Sequence, residues 1–261
     1  LKFKNNNNFL IKILDVQIKN CENLNDYKHA FNSVKERNGL VASLDENKKY
    51  NKLVISNTIK NYKKFFTKSN FHKVKNKLQY HDDKNLVFLV GFPRSGTTLL
   101  DTILRSHSKI KVLEERPFLL ELRHKFFNNK NNDLTSLLNI TQNEKDEIRS
   151  NYFDKIITKK NDKDKIIIDK LPLSIIELGF IKFIFPKSKI IFSMRHPADV
   201  VISCYFSSFK INDAMVNFLQ WKDTLNFYNQ VLDLFEFYDK ELELNYFLIK
   251  YENIVNSFEK Y

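Results

Sequence analysis

The sequence predicts an α/β fold in which a central parallel sheet is flanked by helices, with a short helical segment before it. Short apolar runs recur along the chain, as strands that are buried on both faces of a parallel sheet do. Between these runs, apolar residues recur at helical spacing, so strands and helices alternate. The predicted strands are residues 86–90, 110–113, 165–168, 190–194 and 246–252.

The first 80 residues are predicted to be a helical lead-in. Residues 1–36 have helical, amphipathic spacing. Residues 24–31 are similar to the closing helix of a tetratricopeptide (TPR) repeat, in which Ala30 would be the small residue packed in the hairpin. Two interpretations stay open, the end of a TPR region and an ordinary lead-in helix. Residues 40–80 predict one more helix, with three aromatic side chains in the core: Phe65, Phe66 and Phe71.

A glycine-bounded loop follows the first strand and predicts a P-loop-type sheet. Gly91 and Gly96 bracket the loop and are two of only 4 glycines in the chain. Glycine lets the backbone approach a ligand closely, and the N–H groups that open the next helix attract an oxyanion. An NTPase loop would have lysine at the position of Thr97. The only cation in this loop is Arg94, whose guanidinium can hold two oxyanions.

Charged residues follow two of the predicted strands. Glu114 and Glu115 end the strand at 110–113, where ligands of open α/β sheets bind, so one of them is expected beside Arg94. A carboxylate there can remove a proton from a hydroxyl; the alternative is a surface pair that forms a salt bridge with Arg116. Asp169 and Lys170 end the next strand. Asp169 would hold magnesium in an NTPase, and Lys170 is a second charged residue at the same strand end.

Three further patterns predict local structure. Residues 174–177 match a capping box that starts a helix. Arg195, at the end of the strand at 190–194, and Ser203, on the following helix, are expected to converge on one phosphate, while His196 is expected to be structural. Residues 214–240 have the spacing of one long amphipathic helix.

In this order, the motifs resemble the bacterial sulfotransferase domains that often follow TPR repeats and use 3′-phosphoadenosine 5′-phosphosulfate (PAPS). Those domains are similar to the Golgi tyrosylprotein sulfotransferases. The resemblance covers about residues 24–256. It rests on Gly91-Phe92-Pro93-Arg94-Ser95-Gly96-Thr97-Thr98-Leu99, on His107 with Glu115, on Asp169-Lys170-Leu171-Pro172, on Phe185-Pro186, on Arg195 and Pro197 with Ser203-Cys204-Tyr205-Phe206, and on Tyr251-Glu252.

The resemblance implies transfer of a sulfonate from PAPS to an acceptor hydroxyl without a metal ion. Glu115 would be the base, while Arg94 and Lys170 would neutralise charge on the sulfonate and on the leaving phosphate. The implied PAPS-binding residues are Arg94, Ser95, Gly96, Thr97 and Thr98 at the 5′-phosphosulfate, Arg195 and Ser203 at the 3′-phosphate, and Tyr251 near the nucleotide.

Two departures from the family pattern affect the predicted substrate and domain. Pro117 stands where the tyrosine enzymes have an arginine that helps to hold an acidic peptide, so the acceptor stays open among peptide, carbohydrate and small molecule. The downstream lid of the family is absent, so we expect residues 81–261 to be a sulfotransferase domain that is incomplete at its C-terminus. The alternative functions are a P-loop kinase or NTPase and a nucleotide-binding module without catalysis.

Composition and charge limit the partners and the location that the sequence predicts. The net charge is +12, but lysine is abundant together with Asn, Ile and Phe, as AT-rich coding produces, so we predict no nucleic-acid partner. No apolar run is long enough to span a membrane. Cys21 and Cys204 are far apart, which argues against a disulfide framework and fits a reducing, cytoplasmic location. If TPR repeats precede Leu1, a protein partner would bind through them.

Overall fold

The structure is a computed structural model that describes residues 7–75, 79, 83 and 85–257. The described residues divide into two units. The first comprises those of Leu1–Thr58 and Pro197–Gln230, and the second those of Ile59–His196 and Val231–Tyr261. The predicted boundary between residues 80 and 81 lies outside the described residues and stays a prediction.

Helices and strands alternate through the second unit, and the first unit is helical. The helices are α1 (Asn7–Asn23), α2 (Tyr27–Ser43), α3 (Leu53–Phe65), α4 (Lys68–Lys75), α5 (Thr97–Arg105), α6 (Phe118–Asn128), α7 (Gln142–Ile156), α8 (Leu178–Ile184), α9 (Pro197–Phe206), α10 (Trp221–Leu242) and α11 (Tyr251–Asn256). The strands are β1 (Leu86–Gly91), β2 (Ile110–Glu114), β3 (Ile166–Lys170), β4 (Lys189–Met194) and β5 (Tyr246–Lys250).

In the first unit, α1 and α2 form a hairpin, which confirms the predicted helical N-terminal segment. Asp26 caps α2 by accepting a hydrogen bond from the His29 N–H at 3.2 Å. The buried guanidinium of Arg37 donates to the carbonyl of Phe206 at 3.0 Å and to Asp15 at 3.1 Å. The hairpin is therefore tied to the end of α9. Whether it is the end of a TPR region stays a prediction.

The long helix predicted over residues 214–240 is present, but its predicted start is wrong. Met215–Leu219 forms a short 3₁₀ helix, Gln220 is extended, and α10 begins at Trp221. Side-chain hydrogen bonds to the backbone compete with a continuous helix here. The Thr224 hydroxyl donates to the carbonyls of Gln220 (3.0 Å) and Asn217 (3.2 Å), and the Asn217 amide donates to the carbonyl of Ala214 at 2.9 Å.

The second unit contains a five-stranded sheet of the described residues, in the order β2-β3-β1-β4-β5. Every neighbouring pair is parallel, which confirms the predicted fold class. One face packs on an apolar cluster that includes Leu89, Leu100 and Ile254. On the other face, the ring of Phe88 lies near those of Tyr152 and Phe185.

The number of helices before the sheet differs from the prediction. Phe65, Phe66 and Phe71 are buried as predicted. The one helix predicted within residues 40–80 is present as α3, and a second helix, α4, follows it. The Asn70 side chain donates to the carbonyl of Phe65 at 2.8 Å and so stabilises the end of α3.

The predicted capping box at residues 174–177 is also wrong, because α8 begins only at Leu178. Pro172–Ile175 forms a 3₁₀ turn instead. Glu177 is buried and accepts a hydrogen bond from the Tyr62 hydroxyl at 2.9 Å, so tertiary contacts hold the side chain that would have completed the box. Burial raises the pKa of Glu177.

None of the helices in the described part of the chain is both long and apolar enough to cross a membrane.

Candidate functional site

The carboxyl ends of the five strands bring the predicted site residues of the second unit to one edge of the sheet. Lys170 is in register with Glu114 on one side and with Leu89 on the other. Beyond β1, Gly91 is in register with Ser193 of β4. In sheet order, the edge therefore carries Glu115, Lys170, the loop after β1, Arg195 and Tyr251. The chain runs from β1 to β2 on one side of β1 and later crosses from β3 to β4 on the other side, and this reversal at β1 makes the edge the ligand crevice expected of an open α/β sheet.

The phosphate loop, residues 91–98, is held close to its neighbours. A Cβ atom on Gly91 would lie 2.6 Å from both the Ser193 carbonyl and the Ser95 hydroxyl oxygen. The Ser193 hydroxyl donates to the Ser95 carbonyl at 3.0 Å. Arg94 is exposed and has a φ of 69°, a conformation that is costly for a residue with a side chain. Such strain is typical of functional loops.

The loop leads into α5 with open backbone donors. The first backbone bond of this helix joins the Leu100 N–H to the Gly96 carbonyl at 3.2 Å, so the N–H groups of Thr97 and Thr98 precede it. The Ser95 hydroxyl oxygen is buried and has no hydrogen-bond partner among the described residues. A helix N-terminus beside an unsatisfied hydroxyl is suited to hold an oxyanion.

Tyr251 connects the loop to the end of β4. Gly96 has a φ of +94°, and a Cβ atom there would lie 2.5 Å from the Tyr251 ring. The guanidinium of Arg195 lies over the same ring, 4.8 Å from its centroid. Glu252 accepts a hydrogen bond from the His196 N–H at 2.7 Å. Gly96, Tyr251 and Arg195 are therefore packed in one stack.

Ser203 belongs to the first unit. It lies on α9, where its carbonyl accepts hydrogen bonds from the Ser207 N–H at 3.1 Å and from the Ser207 hydroxyl at 2.7 Å. Because Arg195 and Ser203 belong to different units, their convergence on one phosphate stays a prediction.

Glu115 and Lys170 form an ion pair. The Lys170 Nζ donates to Glu115 Oε1 at 2.9 Å. The lysine side chain is 1% exposed, whereas that of Glu115 is 55% exposed, so the pair presents its carboxylate outward. The Glu115 N–H donates to the Lys170 carbonyl at 2.8 Å, and its φ of 48° turns the chain away from β2 immediately afterward. This geometry gives the exposed carboxylate a fixed position beside a buried cation.

Two charged residues of α5 without a predicted role lie behind this pair: Asp101 contacts Lys170, and Arg105 contacts Asp101. Asp101 is buried, lies 3.6 Å from the Lys170 Nζ and accepts hydrogen bonds from Arg105, the shortest at 2.7 Å. Arg105 also donates to Glu114 at 3.1 Å. The only signal in the sequence was an aspartate and an arginine four residues apart, which usually indicates a surface pair on a helix.

Asp169 faces away from Lys170, because neighbouring side chains of a strand point to opposite faces of the sheet. It is buried and accepts a hydrogen bond from the Tyr152 hydroxyl at 2.5 Å. Burial raises the pKa of Asp169 to about 6, although the Tyr152 bond acts in the other direction. A carboxylate buried in this way is not placed as the magnesium ligand of the alternative NTPase prediction. In the described ranges, no group of three or more His, Cys, Asp and Glu side chains could hold a metal ion.

Comparison with known proteins finds similarity to sulfotransferases. Residues 87–261 match the Sulfotransferase family. Human protein-tyrosine sulfotransferase 1 is 26% identical over 158 residues, which are 59% of this chain and 42% of the human protein. The protein-tyrosine sulfotransferase of Drosophila melanogaster is 27% identical over 120 residues, 44% of this chain and 24% of the fly protein.

A protein of Aquifex aeolicus that is named only as uncharacterized is 27% identical over 211 residues, 77% of this chain and 27% of that protein. The chain thus spans less than half the length of each of these relatives. The family match nevertheless covers most of the chain and includes all five strands of the candidate site except the first residue of β1. The chain belongs to the sulfotransferase family.

Proposed function

We propose that this protein transfers a sulfonate group from PAPS to an acceptor hydroxyl, with the reaction at the carboxyl edge of the sheet. The observation that carries the proposal is the exposed carboxylate of Glu115, hydrogen-bonded at 2.9 Å to the buried Lys170 on the strand next to the phosphate loop. This arrangement supplies a proton acceptor and a cation at the edge where an oxyanion would bind.

The phosphate loop supports PAPS as the donor. Its 5′-phosphosulfate would be held by the backbone donors of Gly96, Thr97 and Thr98, by the Ser95 hydroxyl and by the Arg94 guanidinium. Arg195 would bind the 3′-phosphate together with Ser203, and the stack of Arg195 on Tyr251 supports a nucleotide at that end of the edge. These groups would hold the donor so that its sulfonate faces Lys170.

In the proposed step, the acceptor oxygen forms a bond to sulfur as the bond from sulfur to the 5′-phosphate oxygen breaks. The hydroxyl proton passes to Glu115, and the departing 3′,5′-adenosine bisphosphate keeps the electron pair. Arg94 and Lys170 would neutralise charge on the sulfonate and on the leaving phosphate, so these cations would do what magnesium does in a phosphate-transferring enzyme.

The relatives named above make peptidyl tyrosine the first acceptor to test. Pro117 lies just before α6 and provides no cation for an acidic peptide at that position. A carbohydrate and a small alcohol or phenol are therefore included as competing acceptors. Transfer of labelled sulfonate from PAPS to each class, measured side by side, would decide among them.

A binding experiment tests the donor. Thermal unfolding is measured with 3′,5′-adenosine bisphosphate and, separately, with ATP plus magnesium. A ligand at about one hundred times its dissociation constant adds roughly 2.7 kcal/mol to the free energy of unfolding. We expect a higher melting temperature with the bisphosphate alone.

The matched variants for this experiment are Arg195→Ala and Lys189→Ala, which change cations at opposite ends of β4. The bisphosphate shift should be lost only in Arg195→Ala. A shift with ATP plus magnesium alone would contradict the proposal and favour a kinase or NTPase. Binding of the bisphosphate without transfer to any acceptor would favour the non-catalytic module.

A further inference from the structure

Four side chains behind Glu115 form a closed ring of alternating charge, here called the charge ring: Lys170, Asp101, Arg105 and Glu114. The Lys170 Nζ lies 3.6 Å from Asp101 Oδ2 and 3.8 Å from Glu114 Oε1. Arg105 Nη2 closes the ring, at 2.7 Å from Asp101 Oδ1 and 3.1 Å from Glu114 Oε2. Each cation therefore contacts two carboxylates of the ring.

The buried members of the ring are Lys170 and Asp101, whose side chains are 1% and 3% exposed. Those of Arg105 and Glu114 are about half exposed. A buried ammonium is strongly disfavoured unless a carboxylate compensates it. Asp101 is the only carboxylate near Lys170, among the described residues, that is equally buried. It is therefore the buried carboxylate that faces the buried ammonium of this lysine.

The distances separate two kinds of contact at Lys170. Its bond to Glu115 has hydrogen-bond length, at 2.9 Å, whereas Asp101 and Glu114 lie beyond the usual range and act through charge. The Lys170 ammonium can therefore leave Glu115 and turn toward an incoming sulfonate oxygen. Asp101 still compensates the charge of Lys170 when this happens. The charge ring has two cations and two carboxylates, and Glu115 adds a third carboxylate, so the group carries one net negative charge. Uptake of one proton by Glu115 would make the group neutral.

We propose that Asp101 is a positioning residue for sulfonate transfer, which holds Lys170 between Glu115 and the donor. The inference rests on the proposed function. Arg105 fixes Asp101 in turn, because it donates to both oxygens of the carboxylate, at 2.7 and 2.9 Å from Nη2 and at 3.1 Å from Nε. Asp101 acts through Lys170 and does not touch the substrate.

The substitution Asp101→Asn removes the charge and nearly preserves the shape. Without that charge, Glu115 becomes the strongest partner of Lys170, so the lysine is drawn from the donor and the carboxylate is less available to the acceptor proton. We expect kcat to fall about ten- to one-hundred-fold, the range that misplacement of a catalytic group produces. The affinity for 3′,5′-adenosine bisphosphate should stay within about threefold, because the backbone donors of the phosphate loop are unchanged.

Asp162→Asn is the matched control. Asp162 is also buried and pairs with a lysine of β2, Lys111, at 2.6 Å. Lys111 lies near the start of the strand, away from the carboxyl edge. Both variants break a buried aspartate–lysine pair, so both lose stability. Only Asp101→Asn should lose kcat, measured as transfer of labelled sulfonate from PAPS to a peptide with a single tyrosine among acidic residues.

A second readout needs no turnover. Reductive methylation of Lys170, followed by mass spectrometry, reports how firmly the ammonium is held. We expect faster methylation of Lys170 in Asp101→Asn than in either the wild type or Asp162→Asn. An unchanged methylation rate, or an equal loss of kcat in the two variants, would overturn the inference. The wild type could transfer no sulfonate to the peptide while Lys170 is methylated faster in Asp101→Asn. In that case the proposed acceptor is wrong, and the positioning of Lys170 by Asp101 stands.

Discussion

Gly96 is the position where we expect an added methyl group to disturb the proposed nucleotide end of the site most. In Gly96→Ala, the new Cβ would lie 2.5 Å from the Tyr251 ring, in a backbone conformation with a φ of +94°. The ring must move by about 1 Å to reach an ordinary contact distance. Because Arg195 stacks on that ring, it loses its contact as well.

The expected cost has two parts. A residue with a side chain in the left-handed region costs roughly 1–2 kcal/mol, and loss of the arginine–tyrosine stack costs about 0.5–1 kcal/mol more. The free energy of unfolding should therefore fall by about 1.5–3 kcal/mol, which lowers the melting temperature by roughly 3–12 °C for a unit of this size. The affinity for 3′,5′-adenosine bisphosphate should fall at least about tenfold, since about 1.4 kcal/mol of lost contact is enough for that.

The assay is urea unfolding and bisphosphate titration of Gly96→Ala, Gly39→Ala, Tyr251→Ala and the double variant of Gly96 and Tyr251. Gly39→Ala is the matched control, because Gly39 lies within α2 with nothing within 4 Å of its added Cβ atom, so alanine should stabilise by about 0.5–1 kcal/mol. In a Tyr251→Ala background, Gly96→Ala should cost only its backbone part. Equal stability and unchanged affinity of Gly96→Ala and the wild type would refute the reasoning.

Two further predictions concern stability. Because burial raises the pKa of Asp169 to about 6, the folded state binds this proton more tightly than the unfolded chain, and stability falls as the pH rises from about 4 to about 6. Asp169→Asn should lack that fall and be up to about 3 kcal/mol more stable than the wild type at pH 7; equal urea midpoints at pH 7 would contradict this. Phe66→Ala should lose about 3–5 kcal/mol because Phe66 is fully buried, whereas Phe247→Ala, at an exposed position of β5, should lose less than about 1 kcal/mol; similar melting shifts in the two variants would count against the packing described.

The sheet and the glycine-bounded turn between β1 and α5 could be predicted because their signals are local. Strands covered on both faces require continuous apolar runs, and the loop requires glycines where the backbone turns and packs closely. Gly96 illustrates this, since its neighbour Tyr251 is far along the chain but the glycine itself is visible. Parallel pairing brings the strand ends to one edge, but the order of the strands along it does not follow from local signals. Glu114 and Glu115 were expected beside Arg94, whereas β3 with Lys170 lies between β2 and β1.

The parts that the sequence did not predict depend on contacts between distant residues. Glu177 had the spacing of a capping box, but Tyr62 and burial determine its position. Asp101 and Arg105 had the spacing of a surface pair, but Lys170 of β3 makes them part of a buried network. The break at Gln220 depends on hydrogen bonds from Asn217 and Thr224. Propensity and spacing carry no information about such partners.

The most direct test of the account is the rate of sulfonate transfer from PAPS in Glu115→Gln, with Glu114→Gln as the matched variant. The amide oxygen introduced by Glu115→Gln could still accept the hydrogen bond of Lys170, but the amide could not take the acceptor proton. We expect transfer to slow by at least about one hundredfold in Glu115→Gln, the usual loss for a general base, with bisphosphate binding retained. Glu114→Gln should lose less than about tenfold, because Glu114 is a half-exposed member of the charge ring and lies 3.8 Å from Lys170. Near-normal transfer by Glu115→Gln would contradict the central claim.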